Sequence, residues 1–233
     1  MKKGKRYVDI CKIYDKKCLY EPEKAFEICV QTAKAKFDES IEVHIKLGID
    51  SRHADQQVRG SLILPFGKGK NIKVLAICKN EDEALARNMK ADYVGAEDVI
   101  DKIQNEGWLN FDVVVTTPNM MSLVGKLGKI LGPRGLMPNP KSGTVATDIG
   151  KAVAELKAGK IEYRPDKSNI IHCSIGKASF DKSKLVINFN ALFDAVLKSR
   201  PEASKGQYIR SCFISATMGP GIKVNISKIG YSV

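Results

Sequence analysis

The sequence predicts two units of different class, an α+β unit with an open antiparallel sheet and an α/β unit with a parallel sheet inserted into it. Three observations carry this. Between residues 68 and 159, strand-like and helix-like patterns alternate, as in a Rossmann-like three-layer unit with helices on both sheet faces. On either side, strand-like runs alternate apolar with polar residues, as in a split β-α-β-like sandwich with one sheet face in water. Charge divides with the patterns: residues 68–159 carry 13 Lys and Arg against 11 Asp and Glu, leaving 25 against 15 for the flanks. The expected boundaries are 1–67 with 160–233 for a discontinuous outer domain, and 68–159 for the insert.

In chain order, 23–36 reads as a helix, with Pro22 suited to its first turn. Residues 40–49 set Ile41, Val43, Ile45, Leu47 and Ile49 against Glu42, His44 and Lys46, a half-buried strand. Residues 58–64 behave similarly. The insert then reads as a buried strand at 72–78, a helix at 81–90, a short strand from Val94 and a helix at 97–104. A strand at 111–116, a helix at 118–131 and a helix at 148–157 complete it. Half-buried strands return at 170–175 and 208–217, with a helix at 183–197 between them. A closing edge strand is predicted to run on through Lys223 to Val233. Gly67, Gly69 and Gly159 mark the two crossings between domains and suit a two-strand hinge.

A net charge of +12 and a pI near 9.4 point to a polyanionic partner. An apolar fraction of 43% supports packed cores. No apolar run is long enough to span a membrane, and the basic start lacks the apolar run of a secretory signal. The six cysteines form no Cys-x-x-Cys pair and lie at no zinc spacing with His44, His53 or His172, so reduced cytoplasmic thiols and no metal are expected. A dinucleotide fingerprint is missing after the first strand of the insert, where acidic residues 81–83 would repel a pyrophosphate. No nucleophile–base pair stands out, so no enzyme activity and no cofactor are expected. No recognition-helix or zinc motif favours DNA.

Three places carry residues suited to RNA. Lys36 and Phe37 set a cation beside an aromatic, which reads equally well as a contact or as a core anchor. Thr217, Met218 and Gly219 end a strand, where a plain hairpin turn is the alternative. Arg164, Lys167 and Ser168 flank a turn of the same domain. In the insert, Gly132, Pro133, Gly135, Pro138 and Pro140 forbid regular structure and stiffen a loop bearing Arg134 and Lys141.

The wording of these segments is informative. Residues 126–144, with Gly-Pro-Arg-Gly-Leu-Met-Pro-Asn-Pro-Lys at 132–141, closely resemble the large-subunit ribosomal protein L-one family in its bacterial form. So do Ala-Lys-Ala-Lys-Phe-Asp-Glu-Ser at 33–40, Val-His-Ile-Lys-Leu-Gly-Ile-Asp at 43–50, Gly-Lys-Ala-Ser-Phe at 176–180 and Thr-Met-Gly-Pro at 217–220. Residues 9–18 depart from it. The resemblance implies a cytoplasmic ribosomal protein of the 50S subunit, monomeric when free, that binds the rRNA of the mobile stalk. It implies rRNA contacts from Phe37, Thr217, Met218 and Gly219, assisted by Lys36, Glu42 and Ser211. The insert, with Arg134 and Lys141 on its loop, would face exit-site tRNA, and the rRNA surface would also bind the protein's own operon mRNA and repress it.

Overall fold

The computed structural model describes residues 4–50, 53–204 and 206–228. The chain divides into two compact units, Met1–Gly69 with Ile161–Val233, and Lys70–Lys160. The first unit opens with helices α1 (Lys5–Ile10) and α2 (Pro22–Thr32) and strands β1 (Ser40–Leu47) and β2 (Gly60–Ile63). The second contains β3 (Val74–Ile77), α3 (Asn80–Asn88), β4 (Tyr93–Gly95), α4 (Glu97–Glu106) and β5 (Val113–Thr116). The single-turn helices α5 (Met121–Val124) and α6 (Gly128–Leu131), then α7 (Ile149–Lys157), complete it. The chain returns through β6 (Lys160–Tyr163), β7 (Ile170–Lys177), α8 (Lys182–Lys198), β8 (Ile209–Ala216) and β9 (Ile222–Val224).

In the first unit the sheet order is β7-β1-β8-β9, every neighbouring pair antiparallel. Because β7 and β8 both run opposite to β1, they are parallel to each other and joined through α8, a split β-α-β arrangement. The alternation in β1 buries Ile41, Val43, Ile45 and Leu47 in one core with Phe26 of α2 and Leu185, Phe189 and Leu192 of α8. The opposite face carries Glu42 and His44, half-buried, and Lys46, exposed.

Four expectations are corrected here. First, the helix predicted to reach Lys36 stops at Thr32: Thr32 Oγ1 donates to Cys29 O at 2.8 Å, and Ala33 leaves helical geometry with ψ 86°. Second, β2 does not join the open sheet and pairs instead with β6 in a two-stranded ribbon. Third, the segment 118–131 is not one helix but alternating 3₁₀ and α turns, with Gly125 and Gly128 at the joins. Glycine weakens a helix interior by about 1 kcal/mol, yet Val124, Leu127 and Leu131 remain buried. Fourth, β9 ends at Val224. There Tyr20 donates to Lys223 O and accepts from Asn225 N, and the Asn225 side chain takes Ser227 N, turning the chain into a 3₁₀ helix at Ile226–Lys228. The remainder of the predicted edge strand, 229–233, lies outside the described residues.

The second unit is a parallel three-stranded sheet, β4-β3-β5. All four residues of β3 are buried, because both faces are covered. Leu75 and Ile77 pack with Val99, Ile100 and Ile103 of α4 and with Val124, Leu127 and Leu131. Val74 and Ala76 pack with Ala86 of α3 and Ile149, Ala152 and Val153 of α7. This is the three-layer α/β unit that the strand–helix alternation predicts.

Candidate nucleic-acid interface

The loop that follows α2 is held by two consecutive acidic side chains. The Asp38 carboxylate accepts from Ser179 N at 3.1 Å and Ser179 Oγ at 2.8 Å. The Glu39 carboxylate is only 1% exposed and accepts from Ala35 N at 2.7 Å and, across the sheet end, from Met218 N at 2.8 Å. Between these anchors Lys36 and Phe37 point outward, and Phe37 is 55% exposed. A core-anchor role for Phe37 is thereby excluded. Met218 is 58% exposed at the β8–β9 turn, which Gly219 N closes onto Ala216 O at 2.9 Å. A Cβ at Gly219 would lie 3.2 Å from Ala216 Cβ, so the tight turn favours glycine. Thr217 locks that turn to β1: its N donates to Ser40 O and its Oγ1 accepts from Ser40 N, both at 3.0 Å. The segment is both a hairpin turn and a rigid exposed surface.

Strand register arranges the other candidates. Across the open face, Glu42 lies between Ser174 and Ser215, His44 between His172 and Phe213, and Lys46 between Ile170 and Ser211. Ser211 is therefore six residues up β8 from Thr217, roughly 20 Å at the rise of an extended strand. Lys36, Phe37, Thr217, Met218 and Gly219 gather at one end of the sheet, Glu42 sits on its face, and Ser211 lies at the far end. Arg164, Lys167 and Ser168 are exposed in the turn entering β7, at the Ser211 end. Asp166 orders that turn by accepting from Ser168 N and Ile170 N, and the Ile170 bond leads the effects holding its carboxyl below the usual range.

Register also makes a pair that sequence reading missed. His44 Nδ1 and His172 Nδ1 are 2.8 Å apart, His44 Nε2 is 3.0 Å from Ser215 Oγ, and His172 Nε2 is 3.4 Å from Asp166 Oδ2. A contact between two ring nitrogens needs one donor and one acceptor, so only one of the two Nδ1 atoms carries a hydrogen in it. Burial first, then the neighbouring His172, hold the His44 pKa below its ordinary value, with Glu42 opposing. A depressed histidine pKa favours the neutral form in the fold. Its stabilisation is complete above about pH 6.5 and is lost as pH falls through the folded value. The urea midpoint should therefore be lower at pH 5 than at pH 7.5 in the native protein, and the two values should converge in His44→Gln. An equal drop in both would contradict the pairing.

The four buried thiols behave as core atoms: burial pushes Cys29, Cys173 and Cys212 to about 12 and Cys78 to about 11. All six cysteines are free. Among the described residues, no group of three or more His, Cys, Asp or Glu is placed to hold a metal, and no helix is long and apolar enough to cross a membrane.

In the second unit the proline loop closes on itself. The Asn139 side chain accepts from Lys141 N at 2.8 Å, Asn139 N donates to Thr144 Oγ1 at 2.8 Å, and Thr144 O accepts from Thr116 N of β5. Arg134 and Lys141 stand exposed on it, and neither forms an ion pair among the described residues. Of the crossing glycines, Gly67, Gly69 and Gly159 take φ of 64°, 69° and 103°. Gly67 O accepts from Asn188 Nδ2 at 3.1 Å, and Asn188 is fully buried.

A basic α+β unit with an open polar sheet face, rimmed by exposed Phe37 and Met218, has the make-up of a protein that binds structured nucleic acid. Residues 29–220 match the model of the Ribosomal protein L1p/L10e family. The chain belongs to that family and is a structural protein of the large ribosomal subunit that binds rRNA.

Proposed function

We propose that the first unit binds the rRNA of the large-subunit stalk through the rigid rim made by Lys36, Phe37, Thr217, Met218 and Gly219. Glu42 and Ser211 extend the footprint along the sheet, and Arg164, Lys167 and Ser168 add contacts at the far end. The observation that carries this reading is the exposure of two large apolar side chains, Phe37 and Met218, on segments fixed by hydrogen bonds rather than left loose. Such a surface reads shape: backbone groups and short side chains meet riboses and 2′-hydroxyls, while the surrounding lysines supply affinity. Glu42 fits as an acceptor for a 2′-hydroxyl or a base amino group.

The finer roles follow from the family resemblance. The 70–160 unit faces deacylated tRNA at the exit site, with Arg134 and Lys141 on its presented loop, and moves on the crossings at Gly67, Gly69 and Gly159. The same rRNA surface, on the free cytoplasmic monomer, recognises a similar site on the protein's own messenger and represses it, rRNA competing for the surface.

Titration with the stalk rRNA fragment and with a DNA duplex of equal sequence, at several salt concentrations, tests the binding reading. Selective RNA binding is expected, with a log–log salt slope of roughly −3 if about four phosphates are neutralised. Equal affinity for DNA would leave only nonspecific attraction to the basic surface.

A further inference from the structure

Glu39 has a place that family membership does not explain. Its carboxylate is removed from water in a strongly basic protein, a costly position unless hydrogen bonds replace the lost hydration. Two of those bonds reach backbone amides 183 positions apart in the chain, Ala35 and Met218. Neither amide belongs to a helix or a strand ladder. One lies two residues before exposed Phe37, and the other is the amide of exposed Met218 itself. The main chain of Glu39 is fixed independently, its carbonyl accepting from Ala178 N at 2.8 Å. A side chain anchored below the surface thus holds both apolar tips from beneath.

We propose that Glu39 is a positioning residue for RNA binding, which couples the Lys36–Phe37 loop to the Thr217–Gly219 turn so that both meet the RNA as one preorganised surface. The inference rests on the reading that Phe37 and Met218 contact RNA. The physical reason is entropic: a loop ordered before binding loses less freedom on contact than one that must be ordered by it. Carboxylate bonds to backbone amides suit the task, being shorter and stronger than neutral ones. An amide in place of the carboxylate would turn an N–H group toward one of the two backbone N–H donors and release that segment.

The test compares the native protein, Glu39→Gln, the Phe37→Ala/Met218→Ala double variant, and that double variant carrying Glu39→Gln. The readouts are affinity for the stalk rRNA fragment, the salt slope, and amide hydrogen exchange at Ala35 and Met218. Glu39→Gln is expected to weaken binding about tenfold, as loss of a charged hydrogen bond implies, with the salt slope unchanged. Exchange should quicken at one or both of the two amides while the β1 amides keep their protection. In the double-variant background the same substitution should change affinity less than about twofold, since the positioned side chains are gone. Tighter binding, or an equal loss in both backgrounds, would overturn the proposal, because it would mark Glu39 as a charge repelling phosphate or as a general support of the fold. A double variant that binds like the native protein would sink the surface assignment instead, and the exchange rates would then show separately whether Glu39 ties the two segments. If Glu39→Gln does not fold, Glu39→Asp, one methylene too short to span both amides, replaces it with the same expected pattern.

Discussion

Phe189→Ala should lower the stability of the first unit by about 3–5 kcal/mol, the usual cost of emptying a buried phenyl site. Phe189 is fully buried on α8. Its ring lies 5.6 Å from Phe26 of α2 in an edge contact and 5.8 Å from Phe193. It is therefore where both helices are keyed to each other above the sheet, and neighbouring aromatic rings are too rigid to collapse into the space. Against a typical domain stability of about 5–15 kcal/mol, the loss is large. The chain provides its own control, because its one tryptophan, Trp108, packs at the margin of the second unit's core, 4.8 Å from Tyr93. Urea unfolding followed by circular dichroism should show an early phase in the variant, while the tryptophan fluorescence midpoint stays put. A circular-dichroism transition that matches the native protein's would mean that the two helices pack without this ring.

Met218→Asp should weaken rRNA binding by more than ten times and leave the melting temperature nearly unmoved. At 58% exposure the side chain does little for the fold, so its apolar surface is free for a partner. Desolvating it on contact is worth about 1.5–3 kcal/mol, and a carboxylate there would also meet phosphates with like charge. Met218 N would still reach Glu39, so the turn itself survives. Phe37→Ala should act in the same direction. Native-like affinity in Met218→Asp would remove this end of the sheet from the interface.

How far the fold could be read in advance follows from which forces are local. The alternation of Ile41, Val43, Ile45 and Leu47 announces a half-buried strand, and the fully apolar 74–77 run announces a sheet covered twice; both are patterns of neighbours. The loop that replaces the predicted last turn of α2 could not be read so, because Glu39 holds it by accepting from Ala35 N, and Glu39 is itself held by Ala178 and Met218, far along the chain. The same limit hid the His44–His172 pair, which exists only because one register aligns two strands 128 positions apart. Among the candidate residues, the family wording picked out Phe37 and Met218, whose exposure composition left undecided. It could not reveal that Ser211 stands at the other end of the face from Thr217. Glu39 itself gave no signal, since two adjacent acids, Asp38 and Glu39, before Ser40 read as solvated loop.

The strand order of the first unit also sets a timetable for synthesis. Strand β1 lies at the centre of its sheet and takes both neighbours, β7 and β8, from the last third of the chain. Translation at about 5–20 residues per second leaves β1 waiting on the order of ten seconds for β7, and longer for β8. The 70–160 segment, whose three strands pair only with one another, emerges complete during that wait. A growing chain therefore matures from its middle outward, and the proposed rRNA rim cannot assemble before β8 has been made and the turn bearing Met218 has followed it.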